Sequence, residues 1–249
     1  MQRILILGGT LDASALATAL AERGADAMLS YAGRTRNPRA QPLPMRIGGF
    51  GGAQGLADYL RREGITHLID ATHPFAAAIS RNAVAAAQIT QTPLIALTRP
   101  PWQPGPGDNW RIVPDIAAAV AALSGPPRRV MLALGRMHLP EFAAQPQHHY
   151  LLRLVDAPDQ PPPLPHHQII VDRGPFTVAG DLARMRDHGT EIIVAKNAGG
   201  RGADAKLAAA RALRLPVILI DRPVLPPRPQ AVSVAEVLAW LDHPADLGV

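Results

Sequence analysis

Hydrophobic positions along the chain follow two patterns that alternate. Residues 3–7 end in a continuous apolar run, whereas residues 11–23 carry apolar side chains three and four positions apart. The first pattern is typical of a strand buried on both faces, and the second is typical of an amphipathic helix. The chain therefore begins with a predicted βα unit, whose helix stops at Gly24.

The same alternation continues to the end of the chain. The further predicted strands are residues 27–31, 45–47, 66–70, 93–97, 111–113, 129–134, 150–155, 169–172, 191–195 and 217–220. The further predicted helices are residues 54–62, 74–87, 116–123, 176–187, 203–213 and 234–241. Strands that alternate with helices form parallel sheets covered on both faces, so we predict an α/β fold.

One segment interrupts this alternation. Residues 99–109 contain four prolines and two glycines and can continue neither a helix nor a strand. We therefore predict two Rossmann-like three-layer domains with mostly parallel sheets, residues 1–100 and 101–249, and an interdomain cleft. Ligands of such sheets bind beyond the carboxyl ends of the strands, where the glycine turns of this chain fall.

Composition excludes several classes of protein. Of the 249 residues, 47% are hydrophobic and none is cysteine, which excludes disulfide scaffolds, zinc–thiolate sites, iron–sulfur clusters and a cysteine nucleophile. Aromatic residues, at 4%, are too few for base-stacking platforms. No segment resembles a membrane span or a signal peptide, so we expect a cytoplasmic protein.

The charge balance is basic. Lys and Arg number 25 against 20 Asp and Glu, which gives a net charge of +5 and favours an anionic partner. The arginines are scattered rather than clustered in a nucleic-acid-binding arm. The sequence has two lysines, Lys196 and Lys206, and both lie in one short stretch.

A glycine turn follows the first predicted strand. Gly8, Gly9, Thr10 and Leu11 stand between this strand and the first predicted helix. Glycines let the backbone approach a phosphate, and a helix N-terminus offers N–H groups to the anion. The full G-x-G-x-x-G pattern is missing, and glycine pairs also occur in α/β folds that bind no nucleotide.

The end of the second predicted strand favours NADP(H) over NAD(H), if a dinucleotide binds. A carboxylate at this place bonds the ribose 2′-hydroxyl of NAD, whereas arginine accommodates a 2′-phosphate. No carboxylate occurs here, and the alternative is a solvated basic loop. The candidate residues are Tyr31, Gly33, Arg34, Thr35 and Arg36.

A third junction carries Asp70, Ala71, Thr72, His73 and Pro74. We expect Thr72 to cap the next helix, with proline in its first turn, and His73 to project into the cleft. A histidine there can donate a proton or contact an anion. The alternative is a histidine hydrogen-bonded within its own turn.

Further strand-end turns in the second half carry cations that suit anionic groups. The adjacent pairs His148-His149 and His166-His167 lack the spacing of a helical metal site, so we predict no metal. The residues singled out in these turns are Arg173, Gly174, Lys196, Asn197, Arg201, Lys206 and Arg222.

These motifs, in this order, resemble the precorrin-6A reductase family of vitamin B12 (cobalamin) biosynthesis. The resemblance covers nearly the whole chain, and its most specific part is Asp70-Ala71-Thr72-His73-Pro74-Phe75. The other parts are residues 6–10, 173–176, 196–200 and 222–223. Family members often carry serine where this chain has Ala198.

The resemblance implies an NADPH-dependent reductase that acts on a CH–CH group of the macrocycle precorrin-6A and yields precorrin-6B. It implies that Gly8–Leu11 hold the pyrophosphate, residues 34–36 the 2′-phosphate, and Gly51, Gly52, Ala71 and Thr72 the ribose and nicotinamide. The second-half cations would bind the carboxylates of the tetrapyrrole, with Lys196 or His73 as proton donor. We expect a monomer or small homo-oligomer without nucleic-acid or membrane partners.

The residues by themselves leave two other classes of function open. One is a non-catalytic two-domain α/β protein that binds an anionic metabolite and no reduced nicotinamide. The other is a two-Rossmann nucleotide-sugar transferase, which would need clustered carboxylates for a divalent metal, and the sequence shows no such pair.

Overall fold

The computed structural model describes residues 2–33, 40–172, 174, 176–200 and 203–243. The strands are β1 (Ile4–Leu7), β2 (Ala27–Tyr31), β3 (Met45–Ile47), β4 (His67–Asp70), β5 (Leu94–Leu97), β6 (Trp110–Val113), β7 (Arg129–Ala133), β8 (His149–Leu154), β9 (His167–Val171), β10 (Ile192–Lys196), β11 (Val217–Ile220) and β12 (Gln230–Ala231). The α-helices are α1 (Leu11–Glu22), α2 (Gly52–Arg62), α3 (Ala77–Thr90), α4 (Ile116–Ala121), α5 (Val178–His188), α6 (Ala205–Leu213) and α7 (Val234–Asp242). None of the helices described is both long enough and apolar enough to cross a membrane.

The chain folds into two compact units. The first contains Met1–Pro100 and Val224–Val249, and the second contains Pro101–Pro223. The break after residue 100 lies where the sequence predicts it. The predicted second domain, 101–249, is too long, because β12 pairs with β5 and returns the C-terminal segment to the first unit.

The first unit contains a six-stranded sheet in the order β3-β2-β1-β4-β5-β12, with every pair of neighbours parallel. Counted along this unit, the order is that of dinucleotide-binding sheets, in which the strand order reverses between the first and fourth strands. All four residues of β1 are buried. Ile4 and Ile6 pack with α1 and α7, whereas Leu5 and Leu7 pack with α2 and α3, so the central strand supplies a core on both faces.

The second unit repeats this plan with the order β6-β11-β10-β7-β8-β9, again with all neighbours parallel. Its strand order reverses between β7 and β10. Met131, Ile193 and Leu219 come from three neighbouring strands and form one buried cluster with residues of α5 and α6. The predicted class, two Rossmann-like α/β layers with parallel sheets, is confirmed.

Candidate functional site

The glycine turn after β1 lies at the point where the first sheet reverses its strand order. Leu7 pairs with Asp70, so the turns that follow β1 and β4 leave the same edge of the sheet side by side. Gly9 has a φ of +124°, and a Cβ built on it would meet nothing within 4 Å. The turn therefore has the open space that a phosphate needs above a glycine backbone.

Thr10 joins the two turns. Its hydroxyl oxygen accepts a hydrogen bond of 3.1 Å from the Ala13 N–H and caps α1. The same hydroxyl donates to the Ala71 carbonyl at 2.8 Å. The N-terminus of α1 is thus held in a fixed position relative to the end of β4.

Arg99 neutralises the one acidic side chain in the first turn of α1. Its Nε lies 3.0 Å from Asp12 Oδ2. An unpaired carboxylate at this helix end would repel a phosphate, so the ion pair keeps the turn suited to an anion. Sequence analysis left Arg99 in the interdomain segment, although its place immediately beyond the strand at residues 93–97 could have pointed to it.

The proposed 2′-phosphate residues fall largely outside the described part of the chain. This holds for Arg34, Thr35 and Arg36, whereas Tyr31 ends β2 and Gly33 follows it. The segment beyond them returns to α1, since Gln41 Nε2 donates to Ser14 Oγ at 3.0 Å. Gln41 therefore lies against the side of α1.

Arg46 is a cation at this end of β2 that sequence analysis missed. It donates to the Ser30 hydroxyl at 2.9 Å and to the carbonyls of Gly48 and Gly49 at 3.0 and 3.1 Å. Its guanidinium lies 3.9 Å from the centre of the Phe50 ring. Arg46 therefore holds a second glycine turn, residues 48–52, against β2.

This second turn reaches α2 two residues earlier than predicted. Gly51 is the N-cap with a φ of +79°, and Gly52 is the first helical residue with a φ of +92°. A Cβ on either glycine would meet nothing within 4 Å, so both face open space. A side chain would be strained at these angles, and glycine therefore permits an open turn here.

The junction after β4 differs from the expected capping arrangement. Asp70 is buried, and its Oδ1 accepts hydrogen bonds from the Thr72 N–H at 3.2 Å and the Thr72 hydroxyl at 2.6 Å. Its Oδ2 lies 3.4 Å from Arg228 Nη2. The predicted cap at Thr72 is wrong, because this hydroxyl bonds Asp70 and α3 begins only at Ala77.

His73 is held by its own turn. Its Nδ1 accepts the Phe75 N–H at 3.2 Å, and its carbonyl accepts the Ala76 N–H at 2.7 Å. Because Nδ1 accepts, the neutral ring carries its proton on Nε2. The structure thus shows a histidine hydrogen-bonded within its own turn.

In the second unit, Lys196 is the last residue of β10, at the reversal point of that sheet. The next residues have their polar groups engaged within the unit. Asn197 is buried and hydrogen-bonds the backbone of Trp102, while Arg222 donates to the carbonyls of Asn197 and Ala198, both at 3.0 Å. Gly174 lies near Phe176, and Arg173 and Arg201 lie outside the described residues.

Lys206 lies in the interior of the second unit. The side chain is buried, Nζ donates to the Ala203 carbonyl, and Nζ lies 4.8 Å from the centre of the Trp102 ring. Burial, aided by the positive charge of Arg153, lowers the pKa of Lys206 to about 7. Its own unit encloses the ammonium, and the assignment of Lys206 to substrate carboxylates stays a prediction.

A buried ionic cluster lies beside Lys206 and was not predicted. Arg153 Nη1 lies 2.6 Å from Asp181 Oδ1, and both side chains are almost wholly buried. Arg184 pairs with Asp172 at 2.6 Å, and the Arg153 guanidinium stacks 3.8 Å from the Phe176 ring centre. Burial raises the pKa of Asp181, although Arg153 opposes that shift.

The histidine pairs lie at the opposite, amino edge of the second sheet. Tyr150 pairs with His167 across β8 and β9, which brings the rings of His149 and His166 into a stack with centroids 5.0 Å apart. His148 is buried and bonds the backbone of Leu123 and Arg128. Within the described residues, no three or more acidic or histidine side chains are grouped to hold a metal.

Two doubly wound parallel sheets, with glycine turns at their carboxyl edges, define this chain as a Rossmann-like α/β protein. More narrowly, the chain belongs to the precorrin-6x reductase CbiJ/CobK family, whose model matches residues 3–242. The family that the strand-end motifs resemble is therefore confirmed, and with it a reductase of cobalamin biosynthesis.

Individual relatives match over almost their whole length. The chain is 59% identical to the precorrin-6A reductase of Rhodobacter capsulatus, covering 98% of each sequence. It is 48% identical to that of Rhodococcus erythropolis, covering 97% of this chain and 98% of the relative. The solved structure of a CobK precorrin-6A reductase superposes with a TM-score of 0.94 at 59% identity, covering 97% of this chain and 96% of the other.

Proposed function

We propose that this protein uses NADPH to reduce precorrin-6A to precorrin-6B, acting on a CH–CH group of the macrocycle. The observation that carries the proposal is the 59% identity to a precorrin-6A reductase over 98% of the chain. The glycine turn at the reversal point of the first sheet supports the cofactor, because dinucleotides bind at such points.

The first unit fits a dinucleotide. A Cβ built on Gly9, Gly51 or Gly52 would meet nothing within 4 Å, which leaves room for a cofactor to approach the backbone of these glycines. When bound, NADPH supplies a hydride, which is chemistry that protein side chains lack. The residues assigned to the pyrophosphate, ribose and nicotinamide are Gly8, Gly9, Thr10, Leu11, Gly51, Gly52, Ala71 and Thr72.

The preference for NADPH over NADH rests on the end of β2. Arg34, Thr35 and Arg36 are assigned to the 2′-phosphate, with Tyr31 and Gly33 beside them. Ser30, at this strand end, bonds the cation Arg46 rather than a carboxylate. A carboxylate is what NAD recognition would require here.

The second unit is assigned to the substrate. Precorrin-6A is a polycarboxylate, and charge-assisted hydrogen bonds from cations suit its side chains. Lys196 ends β10 at the point where the strand order of the second sheet reverses. Its Nζ is one candidate proton donor to the macrocycle, and His73 Nε2 is the other. The residues assigned to substrate carboxylates or their turns are Arg173, Gly174, Lys196, Asn197, Arg201 and Arg222.

The identities favour a substrate without cobalt. The relatives named precorrin-6A reductase are 39–59% identical to this chain. The relatives named cobalt-precorrin-6A reductase are only 27–30% identical. We therefore propose the metal-free macrocycle as the substrate, a cytoplasmic reaction, and a monomer or small homo-oligomer as the active form.

The test is turnover of precorrin-6A with NADPH, followed by the visible absorption of the macrocycle, with NADH and cobalt-precorrin-6A as parallel substrates. We expect NADPH and the metal-free macrocycle to react fastest. Arg34→Ala should weaken NADPH binding far more than NADH binding, while Arg3→Ala, which removes an exposed ion pair with Asp26, serves as control. Equal losses of NADPH and NADH binding in Arg34→Ala would refute the 2′-phosphate assignment.

A further inference from the structure

The loop that follows β10 is held by its carbonyl groups. Arg222 donates from Nε to the Asn197 carbonyl and from Nη2 to the Ala198 carbonyl, both at 3.0 Å. Trp102 Nε1 donates to the Gly200 carbonyl at 2.8 Å. Three carbonyls within four residues are therefore anchored by two side chains from outside the loop.

Asn197 completes this anchor from within the loop. Its Oδ1 accepts the Trp102 N–H at 2.7 Å, and its Nδ2 donates to the Trp102 carbonyl at 3.1 Å. The carboxamide thus satisfies both backbone groups of one residue, 95 positions away in the sequence. Asparagine can do this because it carries a donor and an acceptor in one plane, which neither aspartate nor leucine does.

The two outside side chains come from the segments where the chain passes from one unit to the other. Trp102 is the second residue of the second unit, and Arg222 is its penultimate residue. Both of these segments, which we call the crossover segments, therefore contact residues 197–200. This loop begins directly after Lys196, the last residue of β10.

We infer that Trp102, Asn197 and Arg222 are positioning residues that fix Lys196 for the reaction and couple its loop to both crossover segments. The inference rests on the proposed function, because it takes Lys196 as a group that contacts the macrocycle. The backbone beyond Lys196 is held by its carbonyls, so the position from which the Lys196 side chain starts is fixed. Displacing a reacting group by about 1 Å can cost about 100-fold in rate.

The kinetic test uses two conservative variants. Trp102→Phe removes the indole N–H and part of the bicyclic ring but keeps an aromatic ring near Lys206. Arg222→Lys keeps the charge but loses the guanidinium that donates to two carbonyls at once. We expect each to lower kcat for precorrin-6A by about 10- to 100-fold. The Kd for NADPH should stay unchanged, because its assigned residues lie in the first unit. Trp110→Phe, in the edge strand β6, is the matched control.

A double-mutant cycle with Lys196→Met separates positioning from general loss of structure. If the anchor acts through Lys196, adding Trp102→Phe to Lys196→Met should lower kcat no further. Two effects that multiply, or a Lys196→Met variant with wild-type kcat, would overturn the inference.

Hydrogen exchange supplies a readout that does not need turnover. In Trp102→Phe, amides of residues 197–200 and of both crossover segments should exchange faster, while those of β1 and β4 keep their protection. Unchanged exchange in either crossover segment would refute the coupling. A wild-type protein that fails to reduce precorrin-6A would refute the proposed function and the role of Lys196, and the exchange result would still decide the coupling.

Discussion

The hydroxyl of Thr10 and the carbonyl of Ala71 are joined by a hydrogen bond of 2.8 Å across the reversal point of the first sheet. The same hydroxyl caps α1. A single oxygen atom therefore sets both the start of the helix and its position relative to β4. The glycine turn that is assigned to the pyrophosphate depends on this one side chain.

We expect Thr10→Val to weaken both the fold and cofactor binding. The variant loses the helix cap, which is worth about 1 kcal/mol, and the bond to Ala71, which is worth about 1 kcal/mol. Urea unfolding should show a loss of about 2 kcal/mol, and fluorescence titration should show weaker binding of NADPH and NADH alike. Thr10→Ser keeps the hydroxyl and should behave like the wild type; a stable Thr10→Val variant with normal affinity would contradict this role.

Arg99→Ala should weaken the binding of both nucleotides. The change leaves Asp12 unpaired at the N-terminus of α1, where its charge opposes a pyrophosphate. We expect a loss of about fivefold in affinity, equivalent to about 1 kcal/mol at a partly exposed site, and a larger loss at low salt. Removing both charges in Asp12→Asn/Arg99→Ala should restore part of the affinity. A loss confined to NADPH would instead place Arg99 at the 2′-phosphate.

Breaking the buried pair Arg153–Asp181 should lower the free energy of unfolding strongly, whereas replacing both residues by apolar ones should lower it little. Asp181→Asn leaves the Arg153 charge without its partner in a site that excludes water. We expect urea unfolding to show a loss of about 3 kcal/mol. The double variant Arg153→Met/Asp181→Leu removes both charges and should recover most of that loss. An Asp181→Asn variant as stable as the wild type would contradict the claim that the buried Arg153 charge needs this partner.

Lys206 should make the stability of the protein rise with pH. Its pKa is about 7 in the fold and 10.5 in the unfolded chain, so between these values the unfolded chain binds the extra proton. The destabilisation is complete below about pH 7 and disappears as the pH approaches 10.5. Relative to Lys206→Met, the wild type should therefore gain stability between pH 7 and pH 9 in urea unfolding, with Lys196→Met as control. Parallel pH profiles for wild type and Lys206→Met would contradict the lowered pKa.

Local pattern predicted most of the secondary structure. The strands Ala27–Tyr31, Met45–Ile47 and Val217–Ile220 have the predicted bounds, because each apolar run is flanked by residues that stop a strand. The start of α3 was predicted three residues early, since proline at 74 suggested a first helical turn, whereas the structure has a separate turn there. β12 was missed because a strand of two residues is too short to show a hydrophobic periodicity. Only its pairing with β5 makes it a strand.

The candidate site was predicted unevenly. Gly8, Gly9 and Thr10 could be found because a glycine turn between a strand and a helix has a local sequence pattern. Arg99 could have been considered, because it follows a predicted strand directly, but its partner Asp12 could not be predicted. Arg46 and Trp102 could not be found, because no local sequence pattern indicates their partners. The burial of Lys206 was not predicted, since its position in the first turn of α6 does not reveal that it lies near Trp102 and Asp181.

By itself, the sequence determined the α/β class, the break after residue 100, the strand-end turns and the family resemblance. These features depend on periodicity and on short motifs, which are properties of neighbouring residues. Only the tertiary structure decided which unit receives the C-terminal segment, which cations are buried and which side chains hold the loop after β10. Those outcomes depend on contacts such as that between Trp102 and Asn197, whose partners are far apart along the chain and meet only when the sheet has formed.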